Sequence, residues 1–191
     1  MADSGDGAQM GNTCVVVGGR RSGKSEYAQA LAEKLPGPRV IIATCPVLDE
    51  EMSVRIKKHQ DARKASAWDT IEEPLNLASS VLNASGYGVI LIDCLTLWIN
   101  NLMYQNQQIG VVISEEFIQE KCHELIGSCR EHSGKIIMVT NETGMGIVPE
   151  NEQARLFLDL VGRCNQIMCG VADHVALVVC GQPLVIKKGS F

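Results

Sequence analysis

Gly18-Gly19-Arg20-Arg21-Ser22-Gly23-Lys24-Ser25 fits the pattern G-x-x-x-x-G-K-[ST], and its flanks decide how the pattern is read. It follows the apolar run Cys14-Val15-Val16-Val17. It precedes Glu26 to Leu35, where apolar residues recur at helical spacing before Pro36-Gly37. A strand, a glycine-rich turn and a helix in that order are the context of a phosphate-binding loop. The glycines let backbone N–H groups approach anionic oxygens, and the helix N-terminus adds positive potential. Lys24 would reach the β- and γ-phosphates, and Ser25 would offer its hydroxyl to Mg²⁺. An ordinary helix cap leaves Lys24 unexplained, because a cation at a helix N-terminus opposes the macrodipole.

Outward from this loop, apolar runs alternate with helical patterns. Val40-Ile41-Ile42-Ala43-Thr44, Val89-Ile90-Leu91-Ile92-Asp93, Lys135 to Thr140 and Val175 to Cys180 read as buried strands. Between them the spacing predicts helices over 49–63, from Pro74 through Leu82, over 95–102, over 114–130 and from 151 or 152 to 170. Trp68 to Glu72 reads as a loop or a short extended piece, and Gln105 to Gln108 as a polar connection. Gly181-Gln182 turns the chain into Leu184-Val185-Ile186, an antiparallel hairpin at one sheet edge. The whole is an α/β fold, a P-loop nucleotide-binding domain with a mainly parallel sheet and helices on both faces. Strand order is not legible.

Composition sets the outer bounds. The 191 residues are 46% hydrophobic, 20% charged and 4% aromatic, which is globular. Such a chain buries roughly 70% of its unfolded surface, so its core needs neither disulfide nor metal. A formal charge of −5 gives no support to a nucleic-acid surface. Eight cysteines form no C-x-x-C pair, and several sit inside apolar runs as small hydrophobes. With four histidines and no zinc-type spacing, reduced thiols in a cytoplasmic protein are expected. Residues 1–12 are small and polar, without a signal core, and read as a disordered leader before a single domain over 13–191. No stretch reaches the ~20 apolar residues of a membrane span.

Several side chains beyond the loop have chemical uses, each with a plainer alternative. Asp93 ends an apolar strand, where a carboxylate holds magnesium-bound water near Ser25; it could equally cap the following helix. Arg20 and Arg21 either contact phosphate or are solvated. Arg55, His59 and Arg63 follow at four-residue spacing and share one helical face. A neutral imidazole flanked by guanidinium groups can attack phosphorus, but spacing alone favours an exposed basic face with an incidental histidine. His123 and His132 are expected at the surface or partly buried, and His174 in a structural role. Cys45, Cys94 and Cys180 lack an activating neighbour. Met145, between Gly144 and Gly146, lines a pocket or plugs the core; Trp68 stacks on a ligand or packs as a core ring.

The ordered set of motifs closely resembles the bifunctional adenosylcobinamide kinase/adenosylcobinamide-phosphate guanylyltransferases. It comprises Gly18 to Ser25, Ile42-Ala43-Thr44, Asp49-Glu50-Glu51-Met52 leading to Arg55 through Arg63, and Trp68 to Glu72. Asp93-Cys94-Leu95-Thr96 through Asn100-Asn101-Leu102, and Val139 through Pro149, complete it. The sequence departs from the family pattern at Lys64, where proline is usual, and at Asp93, where glutamate is frequent. The resemblance implies phosphorylation of the aminopropanol hydroxyl of adenosylcobinamide by ATP or GTP, with Mg²⁺. Transfer of GMP from GTP to adenosylcobinamide phosphate would follow. It implies a guanylylated His59, with Arg55 and Arg63 beside the nucleotide, Lys24 and Asp93 as catalytic groups, and Ser25 with Asp93 on the metal. Glu72, Asn141, Glu142 and Met145 become substrate-site candidates, and the expected assembly is a homotrimer. The competing readings are a P-loop kinase for another small alcohol and a non-catalytic nucleotide switch.

Overall fold

In the computed structural model, residues 12–45, 68–189 and 191 are described. The elements are β1 (Thr13–Gly18), α1 (Lys24–Glu33), β2 (Arg39–Ala43), β3 (Trp68–Glu72), α2 (Leu77–Asn83), β4 (Val89–Asp93), α3 (Leu95–Gln108), α4 (Glu115–Glu131), β5 (Lys135–Asn141), α5 (Glu152–Val171), β6 (His174–Val179) and β7 (Gln182–Lys187). Residues 1–11 and the expected helix over 49–63, with Arg55, His59 and Arg63, lie outside the described residues.

Seven strands form one sheet in the order β3-β2-β4-β5-β1-β6-β7. Every pairing is parallel except that of β6 with β7. Strand side chains alternate between faces, so each strand feeds two cores. Val15, Val17, Ile90, Ile92, Ile136 and Met138 pack on one side with α2, α3, α4 and α5. Cys14, Val16, Leu91, Ile137 and Val139 pack on the other with Ala28 and Ala32 of α1. Each fully buried Ile or Leu contributes about 1.5–3 kcal/mol, so the two layers together drive folding.

Most predicted elements are present, with local corrections. Trp68–Glu72 is a full edge strand in register with Arg39–Ala43, and Trp68 is buried as a core ring. The helix expected to open at Pro74 begins at Leu77. The Glu73 carboxylate accepts the N–H groups of Leu75 and Asn76 at 2.9 and 2.8 Å and holds a turn there instead. The polar stretch Gln105 to Gln108 is helical, because Gly110, at φ 74°, supplies the left-handed stop only afterwards. His132 is buried rather than superficial, its ring set between the Ala84 carbonyl and the Gly134 N–H at 3.2 and 3.0 Å. His123 is exposed, and His174 stacks on Phe191. At the β6–β7 turn, Cys180 and Gly181 both have positive φ, as a two-residue type I′ hairpin requires.

The topology opens a crevice at one place. β1 leads into α1 on one face, while its neighbour β5 leads into α5 on the other. Loops leaving adjacent parallel strands toward opposite faces part at the carboxyl ends, where ligands bind in such sheets.

Candidate functional site at the carboxyl edge of the sheet

Gly18 ends β1 inside the sheet, paired with Asn141 on one side and Val178 on the other. A Cβ on Gly18 would stand 2.7 Å from the Val178 carbonyl oxygen, so only glycine lets the chain leave the sheet here. Gly23, at φ 88°, is the N-cap of α1, and a Cβ there would meet the Gly181 backbone at 3.1 Å. The Gly181 N–H donates to the Ser22 carbonyl at 2.8 Å, and the Ser22 N–H to that of Gly19 at 3.2 Å. The 18–25 loop is thus held from outside by the β6–β7 turn and from within by its own short bond. Lys24 folds back over it and donates to the Gly19 carbonyl at 3.2 Å. Arg20 and Arg21 are exposed on its outer rim, and Ser25 is the second residue of α1.

Asp93 ends β4, half-buried, with one strand between it and β1. It and Lys24 converge electrostatically on the thiol of Cys94. Burial pushes that thiol up to about 12 and the Asp93 charge adds to the rise, while Lys24 and the N–H groups of Leu97 and Thr96 oppose it. Cys94 therefore stays protonated near neutrality and is no nucleophile. The paired residues Ala43 and Asp93, and Ala43 and Glu72, put an exposed Glu72 two strands from Asp93, roughly 10 Å along the same edge.

Beneath this edge runs a buried polar scaffold. Thr44 Oγ1 donates to the Cys94 carbonyl and accepts the Cys94 N–H, both at 2.8 Å. Asn101 Nδ2 donates to the Thr44 and Pro74 carbonyls at 2.7 and 3.1 Å. Thr96 Oγ1 accepts the Asn141 N–H at 2.7 Å, and Thr140 Oγ1 donates to Asn165 Oδ1 at 2.7 Å. Asn165 Nδ2 returns to the Asn141 carbonyl at 2.9 Å. These bonds fix the ends of β2, β4 and β5. No role for Thr44, Thr96, Asn101, Thr140 or Asn165 came from the sequence. The available signal was a hydroxyl just past an apolar run, at Thr44 and Thr140.

Two buried polar atoms at the crevice lack a hydrogen bond, Ser22 Oγ and Asn141 Oδ1. Glu142 donates its N–H to the Gly18 carbonyl at 3.1 Å, and its carboxylate accepts the Gly144 N–H at 2.7 Å. Met145, 80% exposed, projects from the loop beyond. The edge therefore gathers Gly18 to Ser25, Asp93, Asn141 and Glu142, with Glu72 and Met145 farther out. The Ser25 hydroxyl and Asp93 carboxylate are oxygen donors of the kind a hard divalent cation takes. Among the described residues no group of three or more His, Cys, Asp or Glu gathers. No helix among them is long and apolar enough to cross a membrane.

Comparison with known proteins gives the chemistry a context. The flagellar accessory protein FlaH from Methanocaldococcus jannaschii shares the fold, with a TM-score of 0.54 at 14% identity, over 96% of this chain and 83% of that one. The bifunctional adenosylcobalamin biosynthesis protein CobU of Salmonella typhimurium is 39% identical, and that of Escherichia coli 36%, each match covering 91% of this chain and 98% of the relative. The corresponding protein CobP of Pseudomonas aeruginosa is 37% identical over 91% of this chain and 96% of its own. The family model for cobinamide kinase / cobinamide phosphate guanyltransferase matches residues 14–186. With that span and those identities, the chain belongs to this family of enzymes, which join a kinase and a nucleotidyltransferase in one polypeptide.

Proposed function

We propose that the protein phosphorylates the aminopropanol hydroxyl of adenosylcobinamide with ATP or GTP. It then transfers GMP from GTP to the new phosphate, giving adenosyl-GDP-cobinamide. The observation that carries this reading is the convergence of the 18–25 loop and Asp93 at one crevice, in a chain of this family. The loop is read as a P-loop: its N–H groups and the α1 N-terminus receive the triphosphate, and Lys24 moves from the Gly19 carbonyl to the phosphate oxygens. A Mg²⁺ held by Ser25 and, directly or through water, by Asp93 would neutralise charge on the phosphates. Lys24 stabilises the charge that develops at the transferred group, and the braced loop keeps it in line with the acceptor.

His59, outside the described residues, is read as the carrier of the second reaction. Its neutral imidazole attacks the α-phosphorus of GTP, the P–N bond forms and pyrophosphate leaves. A phosphate oxygen of adenosylcobinamide phosphate then attacks that phosphorus, and the P–N bond breaks to free the histidine. Arg55 and Arg63 supply positive charge beside it. Self-association as a homotrimer is part of the reading; the exposed Leu184, Val185 and Ile186 of edge strand β7 support it, and sedimentation mass tests it.

GTP labelled at the α-phosphorus is the test. Label should enter the protein at His59, resist mild base, yield to acid, and pass to adenosylcobinamide phosphate on its addition; γ-label should not enter this adduct. A folded His59→Ala protein with full guanylyl transfer would remove His59 from the mechanism.

A further inference from the structure

Beside the crevice, an open cleft of about 410 Å³ lies between α5, the start of α4 and the loop after β5. On α5 it is lined by Arg155, Asp159, Gly162 and Gln166, residues three and four apart and therefore on one helical face, with Arg163 next to Gly162. Glu115 stands across from them. Two guanidinium groups and two carboxylates cancel, so the cleft has no net attraction for phosphate. Instead it alternates donors and acceptors. The buried Nε–H of Arg163 makes no hydrogen bond; a Glu115 carboxylate oxygen is 4.0 Å away, while Nη2 donates to Gln119 Oε1 at 2.8 Å. Arg155 serves the loop, donating to the Pro149 and Glu150 carbonyls at 3.0 and 2.6 Å.

Gly162 deepens the cleft. A mid-helix glycine costs about 1 kcal/mol relative to alanine. A Cβ added here would meet nothing within 4 Å, so packing does not demand glycine. At the rim, Met145, Ile147 and Val148 are 80%, 97% and 72% exposed, an apolar lip that continues into the trough at Val148 and Leu158. The rim also adjoins the 18–25 loop. Glu142 bonds Gly18, and Gly144, which lines the cleft, is two residues on, a span of at most about 7 Å.

We propose that this cleft docks an amide-bearing edge of the corrinoid macrocycle. Cobinamide carries a rim of primary amides around a largely apolar ring. An amide N–H₂ donates to Asp159 or Glu115, and an amide carbonyl accepts from the exposed Gln166 side chain. The ring face lies on Met145, Ile147 and Val148. The aminopropanol arm then extends past Gly144 and Glu142 toward the phosphates. The inference rests on the reading that the acceptor is a corrinoid.

Cobyric acid, which keeps the peripheral amides and lacks the aminopropanol hydroxyl, separates docking from reaction. In equilibrium dialysis it should bind the wild-type enzyme, compete with adenosylcobinamide and not be displaced by ATP. Gly162→Met fills the trough while favouring the helix, and Asp159→Leu removes an acceptor. Each should weaken cobyric acid binding about tenfold or more, with ATP affinity within about twofold of wild type. Unchanged corrinoid affinity in both variants would overturn the assignment. So would failure of cobyric acid to bind an enzyme that phosphorylates adenosylcobinamide. A wild-type protein that neither binds nor phosphorylates any corrinoid would instead overturn the functional reading itself.

Discussion

β1 and β6 lie side by side, and their two ends are built differently. At the amino end, the Asp173 carboxylate accepts the Thr13 N–H and hydroxyl at 2.9 and 3.1 Å, and its own N–H donates to the Thr13 carbonyl at 3.1 Å. Nearby, the His132 ring is bonded on both nitrogens, and a Cβ on Gly134 would stand 2.5 Å from the Gly88 carbonyl. At the carboxyl end, β1 and its other neighbour β5 lead to Ser22 Oγ and Asn141 Oδ1 without partners, to a lysine resting on its own loop, and to exposed Arg20 and Arg21. One end commits its polar groups to itself; the other holds its backbone firmly and leaves polar atoms for something else. Stability and chemistry are thereby assigned to opposite ends of β1 and its two neighbours.

That separation can be broken by mutation. The largest effect expected is from Lys24→Ala, which in the proposed mechanism removes the cation facing developing phosphoryl charge. Turnover with ATP and with GTP should fall about 10³-fold, or ~4 kcal/mol, with little change in thermal midpoint. Near-wild-type turnover would detach the loop from the chemistry. Asp173→Ala should do the reverse. Two buried donors on Thr13 lose their acceptor, so denaturant titration should show a loss of about 2–4 kcal/mol, with activity per folded molecule unchanged. A loss of turnover without a loss of stability would contradict the division.

Asp93→Asn should come next, at about 10–100-fold in rate (~1.4–2.7 kcal/mol) and with a higher Mg²⁺ requirement. An unchanged Mg²⁺ titration would remove Asp93 from metal organisation; it does not cap the next helix, whose N-cap is Cys94. The smallest effect concerns Cys94. With its thiol pushed to about 12, iodoacetamide at pH 8 should label exposed Cys180 and leave Cys94 intact, as read by peptide mass. Labelling of both at one rate would mean that the carboxyl edge opens to solvent.

The strand, turn and helix around 18–25 were legible because their signals are contiguous: an apolar run, three glycines within eight residues and a helical pattern follow one another. Strands β1, β2, β4 and β5 were legible for a related reason, since strands buried on both faces read as unbroken apolar runs. Trp68–Glu72 was legible only as a loop or a short extended piece, because an edge strand with Asp69, Thr70 and Glu72 exposed shows little of that signal. Gln105 to Gln108 was misread because polar residues on an exposed helical turn look like a connection. The scaffold of Thr44, Thr96, Asn101, Thr140 and Asn165 joins residues as many as 57 positions apart, and only the sheet order brings them together. The trough along α5 was hidden for the same reason: its charges look like an ordinary solvated face until Glu115 and the loop at Gly144 stand opposite.

Hydrogen–deuterium exchange with and without Mg²⁺ and GTP tests the division of the sheet most directly. Bound nucleotide should slow exchange in peptides covering 18–27 and 141–146, where loop N–H groups and the crevice wall become engaged. Peptides covering 132–136 and 172–176, at the other end, should exchange as before. Protection confined to the amino end, or no protection of 18–27 at saturating GTP, would contradict the account.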